Sequence, residues 1–366
     1  LNKVFLLLRR FSGNDFTYYK HTTIQRRVRR RMLLHKLDKL KDYVRYLQEH
    51  PNEVRDLFHD LLINVTSFFR DPEAFTALKE TVFPAILGRT EEAPVRIWVP
   101  GCASGEEAYS IAITLLEYLG DHGNGTPIQI FATDIDDEAV EKARAGIYPE
   151  NITSDVSAER LRRFFVKVES GYQISKLIRD MCVFANQNVI KDPPFSKVDL
   201  ISCRNLLIYL GQVLQKKVLT TFHYALKPGG FLLLGTAESI GEFADLFRTV
   251  DPKVKLYGKK SITTPLHVEF GPVSLHPLPP ATTPGVAETP ALRTSLEIQR
   301  EADRLIMNKY APAAVVINEQ LDILQFRGQT GAYLEPAPGE ASLNVLKMAR
   351  NGLKLDLSAA VKHAIR

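Results

Sequence analysis

Gly101 and Gly105 frame a short turn, and two carboxylates, Glu106 and Glu107, follow at once. Glycines here permit positive φ or a close approach of backbone to a ligand. The helix dipole favours acids in a first helical turn, yet acids suit phosphate poorly. No Lys-Ser/Thr pair follows the glycines, so this is not a Walker loop. A cofactor offering a ribose or an ammonium group fits better. Asp134 ends the next apolar run, Ile-Gln-Ile-Phe-Ala-Thr, where dinucleotide folds hold ribose hydroxyls. It lies 33 positions after Gly101, beyond the spacing of about 20 in NAD-binding folds. The 123–127 loop accounts for part of the excess. Asp134 and Asp136 also fit a plain helix cap.

The elements that must position these groups follow from patterning. Val95, Ile97 and Val99 are β-branched in a run that suits a buried strand. Tyr109, Ile113 and Leu116 give the next segment a helical stripe. Residues 95–258 alternate strand and helix, which implies a mostly parallel sheet with helices on both faces. The expected strands are 95–99, 128–133, 181–188, 198–202, a run entered through Leu226-Lys-Pro-Gly-Gly, and 253–258, with a helix over 212–226. Two alternating runs about Ser170-Gly171 predict a β-hairpin inserted into this rhythm, plausible as a recognition element. Residues 16–64 read as helices. Thr22 or Thr23 would cap one whose apolar face is Ile24, Val28 and Met32. Its other face is Arg26, Arg27, Arg29, Arg30 and Arg31. Pro72 opens a further helix to about Leu87.

The net charge of +5 is mild, but residues 1–50 hold 13 Lys/Arg against 4 Asp/Glu. A solvated charged face is the ordinary explanation of such a helix. Five arginines in six positions exceed what solubility needs and suggest docking onto an acidic partner surface. Three cysteines without metal-ligand spacing argue for a reducing compartment and against a disulfide framework or zinc site. Val4–Leu8 is too short to span a membrane. Seven prolines over 261–290 make that stretch an extended linker. Beyond it, residues 292–310 read as a helix, residues 313–317 and 321–326 as a second hairpin, and the tail as mainly helical.

Four motifs occur in order across about residues 12–260: Asn64-Val-Thr-Ser-Phe-Phe-Arg, Ala103-Ser-Gly-Glu-Glu-Ala-Tyr-Ser, Phe131-Ala-Thr-Asp-Ile-Asp and Cys203-Arg-Asn-Leu-Leu-Ile-Tyr. With the glycine turn and the Leu-Lys-Pro-Gly-Gly turn they resemble class I S-adenosylmethionine-dependent methyltransferases. More narrowly, they resemble the chemotaxis receptor methyltransferase (CheR) family. The resemblance implies a Rossmann-like α/β catalytic domain at 89–260 with a small β insertion, preceded by an all-helical receptor-docking domain at 1–88. It implies S-adenosylmethionine as cofactor, S-adenosylhomocysteine as product, and methylation of glutamate side chains on the cytoplasmic helical region of chemoreceptors. The cofactor contacts it implies are Asn64, Thr66, Arg70, Gly101, Glu107, Asp134, Asn188, Val189, Arg204 and Asn205. Glu107 would meet the amino-acid end, Asp134 the ribose, and Asn188 and Val189 the adenine. Arg204 and Asn205 would lie near the methionine part. Arg70 and Tyr209 would orient the reacting groups, and Arg26, Arg27, Arg29 and Arg30 would dock the receptor. Residues 291–366 resemble a helix and the start of a PAS-like domain, as in methylesterase/methyltransferase/PAS hybrids, which agrees with a first residue that is not Met. A cytoplasmic location without membrane insertion or nucleic acid is expected, with response-regulator or kinase components of the same pathway as further partners.

A carboxylate is already a nucleophile at neutral pH, so such a site must supply position and a dry environment, not a base. This suits a sequence in which no catalytic His, Ser-His pair or metal cluster stands out. A nucleic-acid N-methyltransferase is the first rival, from the basic N-terminus and Asp192-Pro-Pro-Phe, but that signature precedes the fourth strand instead of ending it. The second rival is a non-catalytic scaffold, although the expected cofactor positions carry competent residues.

Overall fold

The computed structural model divides into two compact units, Leu1–Val268 and Glu269–Arg366. It describes residues 1–88, 94–122 and 127–261 of the first, and 314–318, 320–327, 330–335, 343–350 and 352–364 of the second. The 261–290 linker, apart from Ser261, and the 292–310 helix expected from the sequence lie outside the described residues.

Four helices open the first unit: α1 (Asn2–Ser12), α2 (His21–Leu34), α3 (Leu40–Glu49) and α4 (Pro51–Leu61). Patterning left α1 unassigned, although Val4, Phe5 and Leu8 bury one of its faces and Gly13 ends it in the left-handed region. Ile24, Val28 and Met32 of α2 are buried as their spacing requires. The cap expected at Thr22 or Thr23 is not there. The helix starts at His21 with Lys20 before it and no side-chain cap, so both threonines sit inside the first turn. Arg31 also departs from the expected outer face. It reaches across to α4, where it bonds Glu53 and Asp56.

The next helix runs as α5 (Pro72–Ala77), a π-helical turn over Leu78–Val82, and α6 (Phe83–Leu87). Phe83 N–H bonds back to Leu78, five residues away. Pro84 has no N–H and its ring crowds the carbonyl four residues before it, a local cause for the widened turn.

A seven-stranded sheet follows, in the order β6-β2-β1-β7-β8-β10-β9. Its strands are β1 (Val95–Pro100), β2 (Ile128–Asp134), β6 (Cys182–Asn186), β7 (Val198–Cys203), β8 (Leu226–Leu234), β9 (Phe247–Asp251) and β10 (Leu256–Lys259). The first five in spatial order pair in parallel, and β10 and β9 add antiparallel. Helices α7 (Glu106–His122), α8 (Asp137–Ala145) and α11 (Gln212–Ala225) connect them. The last strand begins at Leu256, not Lys253, and β9 had no counterpart in the patterning, because Phe-Arg-Thr-Val-Asp carries only two apolar residues. Trp98 is fully buried at the sheet centre. Its indole N–H bonds Thr133 Oγ1 at 3.0 Å, so burial leaves no donor unpaired.

The expected hairpin is present as β4 (Phe165–Val168) and β5 (Gly171–Ile174), with a third strand, β3 (Ile147–Tyr148), on the other side of β5. Helices α9 (Ala158–Phe164) and α10 (Lys176–Met181) flank it. Gly171 is required there: at φ 137° a Cβ would fall 2.1 Å from the Tyr148 carbonyl.

In the second unit β11 (Ala314–Ile317) and β12 (Ile323–Arg327) form the expected antiparallel hairpin. Helices α12 (Val345–Met348) and α13 (Lys354–Ala364) follow. Ile323, Leu334, Val345, Met348 and Ala349 make its small core.

Candidate cofactor site at the carboxyl ends of four parallel strands

The parallel register sets the site. Pro100 pairs with Thr133, and Asp134 with Asn186, so the loops after β1, β2 and β6 leave the sheet side by side. The loop after β7 joins them through the β1–β7 pairing. In open α/β sheets ligands bind outside such strand ends.

The glycine turn folds onto the tip of β2. Gly101 and Cys102 donate their N–H groups to the Thr133 carbonyl at 2.7 and 3.0 Å, and Ala103 N–H donates to Asp134 Oδ2 at 2.9 Å. Gly101 has φ 71° and Gly105 φ 94°, and a Cβ on Gly105 would meet Ala143 at 2.9 Å. The other Asp134 oxygen accepts Asp136 N–H at 3.0 Å. A carboxylate has about four acceptor positions, so Asp134 keeps capacity toward the crevice. Burial pushes its pKa up, against those backbone donors. The cap role belongs to Asp136, whose Oδ1 accepts from Glu138 and Ala139 at the start of α8.

Glu107 faces β7. Ser202 donates its hydroxyl to Glu107 Oε1 at 2.6 Å, and the Arg204 guanidinium lies 3.6 Å from Oε2. Burial raises the Glu107 pKa, with Arg204 and Ser202 opposing it. Arg204 is itself almost wholly buried, at 2% side-chain exposure, and donates to the Arg70 carbonyl and to Asp71 at 2.7 and 2.5 Å. Its guanidinium therefore braces the Arg70–Asp71 backbone besides touching Glu107.

The segment after α4 closes over these strand ends. Asn64 donates to Asp136 Oδ2 at 2.6 Å, Phe69 N–H to Ser110 at 3.0 Å, and the Arg70 guanidinium to the Val65 carbonyl at 3.2 Å. Thr66 and Arg70 are half-buried. Phe69, Asp71, Ala103 and Asn205 are non-glycine residues in the left-handed region, at φ 51°, 55°, 47° and 62°. Such strain costs about 1–3 kcal/mol per residue and clusters at functional sites.

Asn188 is buried beyond β6. It gives its side-chain NH2 to Asn14 Oδ1 at 2.7 Å, and its Oδ1 accepts Ile190 N–H. Val189 is half-buried next to it. Asp192 of Asp-Pro-Pro-Phe accepts Asn188 N–H at 2.7 Å and Phe195 stacks on Phe131, so that motif shapes a loop. Tyr209 sits in a 3₁₀ turn, and its carbonyl accepts Lys20 N–H at 2.9 Å.

The structure thus brings Asn64, Arg70, Gly101, Glu107, Asp134, Asn188, Arg204 and Asn205 to or beside the carboxyl ends of β1, β2, β6 and β7. Arg26, Arg29 and Arg30 stand apart, exposed with Leu33 and Gln25 along a shallow depression on the outer side of α2, and Arg27 is half-buried. Sequence reasoning missed Asp71, Asn14 and Glu238. Asn14 lies in a Gly-Asn-Asp stretch that reads as an ordinary turn, and only the fold brings it to Asn188.

Family models extend the geometry. The all-alpha domain of the CheR methyltransferases matches residues 1–62, and their SAM-binding domain matches residues 64–256. The chain belongs to the CheR methyltransferase family. It carries that family's SAM-binding domain behind an N-terminal all-helical domain. Chemotaxis protein methyltransferase 1 of Vibrio cholerae is 34% identical over 59% of this chain and 80% of its own length. The protein of that name from Pseudomonas aeruginosa is 30% identical over 63% of this chain and 86% of its own. A 104.1 kDa protein of Rhodobacter capsulatus is 34% identical over 91% of this chain, which spans only 35% of that relative. Among the described residues no helix is long and apolar enough to cross a membrane.

Proposed function

We propose that this chain transfers a methyl group to glutamate side chains on the cytoplasmic helical region of chemoreceptors, forming methyl esters. The observation that carries the reading is the gathering of Glu107, Asp134, Asn188, Asn205 and the Asn64–Arg70 segment at one set of strand ends, inside the family's SAM-binding match. The residues fit the cofactor. Asp134 retains acceptor positions for ribose hydroxyls, Glu107 suits an ammonium group, and the glycine turn admits close backbone approach. Asn188 and Val189 flank the adenine side, and Arg204 and Asn205 the methionine side.

Bound S-adenosylmethionine supplies a sulfonium methyl, which a substrate carboxylate oxygen takes up as the carbon–sulfur bond breaks. The chain's own residues position and enclose. Arg204 holds the Arg70 backbone, Arg70 and Tyr209 orient the incoming carboxylate, and Asn64 ties the closing segment to α8. A pre-ionised nucleophile asks nothing more of them than orientation and exclusion of water. Arg26, Arg27, Arg29 and Arg30 provide positive charge for an acidic helical partner.

We read residues 1–88 as the docking domain, 89–260 as the catalytic domain, and the second unit as the start of a PAS-like domain in a hybrid protein. The β11–β12 hairpin over a small apolar core supports the last point. Methyl transfer from labelled cofactor to a panel of membrane receptors tests the whole. Base-labile label on a receptor is the expected result, and label that resists base or stays off every receptor rejects it.

A further inference from the structure

Behind the crevice lies an acid that the proposed chemistry does not use. Glu238 is 5% exposed and has no cation beside it among the described residues. Its partners are backbone N–H groups. Oε2 accepts from Gly235 at 2.8 Å and Asn205 at 2.9 Å, and Oε1 accepts from Ile208 at 3.1 Å. Charge-assisted bonds of this kind are the strong ones. Two of the three donors belong to the irregular segment that starts at Arg204-Asn205 and ends at Tyr209.

That segment is tied at its two ends by Arg204 and by Lys20 N–H on the Tyr209 carbonyl, and Gln215 donates to its Leu207 carbonyl at 2.9 Å, but Glu238 alone accepts from backbone at both Asn205 and Ile208. The segment contains one 3₁₀ turn, and Asn205 enters it at φ 62°. Glu238 also stands near enough to Glu107 for like-charge repulsion to raise the Glu107 pKa, secondary to burial. Gly235 is packed against the same cluster. A Cβ there would lie 2.9 Å from Asn205 N, from the Asn205 side-chain nitrogen and from Glu238 Oε2.

We propose that Glu238 is a positioning residue for methyl transfer, its carboxylate pinning the Asn205–Ile208 backbone so that both ends of that segment stay in register with the crevice. The inference rests on the methyltransferase reading above, and it concerns a residue that would touch neither cofactor nor substrate. Glu238→Gln replaces one acceptor oxygen with an NH2 that faces N–H donors, at nearly constant volume. Gly235→Ala wedges the same cluster apart without changing charge.

The test uses the full chain and three readouts. Hydrogen exchange in the ligand-free protein reports local opening. Both variants are expected to speed exchange at least about tenfold over residues 203–211 while other segments keep wild-type rates. The kcat is expected to fall about a hundredfold, as small misplacements cost, with KM for the receptor within about twofold because docking lies on α2. S-adenosylhomocysteine affinity is expected to weaken about tenfold, the equivalent of one lost charge-assisted bond. Unchanged exchange and kcat in Glu238→Gln would overturn the assignment. So would faster exchange throughout the molecule with unchanged kcat per folded chain, which marks a general stabilising role. A wild-type chain that esterifies no receptor rejects the receptor reading instead, and the exchange and affinity data still decide the pinning.

Discussion

The helical domain and the crevice each bury acids, and they treat them oppositely. Glu53 on α4 is 4% exposed, and it receives Arg31, His35 and Tyr43. Burial alone would raise its pKa, but those three donors outweigh burial and hold it below the ordinary carboxylate range. In the crevice, burial wins. Glu107 and Asp134 sit above the ordinary range, Asp134 fed by backbone N–H groups and Glu107 by one hydroxyl and the Arg204 guanidinium at 3.6 Å, and Glu238 behind them is raised by burial as well. The first arrangement is electrostatically complete and holds helices together. The second leaves Glu107 and Asp134 with fewer charge partners than Glu53 has, which suits the cationic sulfonium cofactor proposed above. On the proposed reading, undersatisfied acids at strand ends mark the site, and buried charge as such does not.

The contrast is sharpest under substitution. Removing one partner of a buried ion pair costs about 3–5 kcal/mol, so Glu53→Ala should lower unfolding free energy by that amount in denaturant titration. Cofactor affinity of the folded fraction should stay unchanged. Asp134→Ala should do the reverse. Loss of about two hydrogen bonds to ribose, at 1–1.5 kcal/mol each, weakens S-adenosylhomocysteine binding by about 30- to 160-fold in calorimetry, with a smaller stability loss than Glu53→Ala, from the Ala103 and Asp136 N–H groups left unpaired.

Titration separates the two regions next. Glu53 has a lowered folded pKa, so its stabilisation is present above the unfolded value and is lost as pH falls through the folded one. For Glu107 and Asp134 the folded values are raised, and the cationic cofactor prefers the ionised forms. S-adenosylmethionine affinity should therefore fall on acidification toward the ordinary carboxylate range, by up to about tenfold per pH unit per linked proton. Binding should release protons, read from heats in buffers of different ionisation enthalpy. Proton uptake would break the comparison.

The smallest effect belongs to the surface. Reversing Arg26, Arg29 and Arg30 should raise KM for a receptor fragment about tenfold at low salt, with less effect at high salt. Stability should move by no more than about 0.5 kcal/mol per site, as for exposed residues generally. An unchanged KM would remove α2 as the docking face.

How much of this the sequence disclosed follows from where the information sits. The strands β1, β2, β6 and β7 are apolar runs cut off by turns, and a buried parallel strand leaves that trace. The place of Asp134 at a strand end was legible because it ends such a run. Arg31 was misread because its charge matches its neighbours along the helix, while its partner Glu53 lies 22 residues away. The π turn before Pro84 depends on hydrogen-bond register, and β9 on an edge pairing that needs little apolar surface. Glu238 left no trace, since its partners are backbone N–H groups that every residue type but proline provides. The left-handed Phe69 and Asp71 were equally silent, because strain of this kind is imposed by tertiary contacts and not by residue type.

A crystal structure of the full chain with S-adenosylhomocysteine tests the central claim most directly. The account predicts ribose hydroxyls within hydrogen-bond distance of Asp134, the amino group beside Glu107, and adenine against Asn188 and Val189. A cofactor seated elsewhere, or one whose ribose and amino group leave both carboxylates untouched, would contradict it.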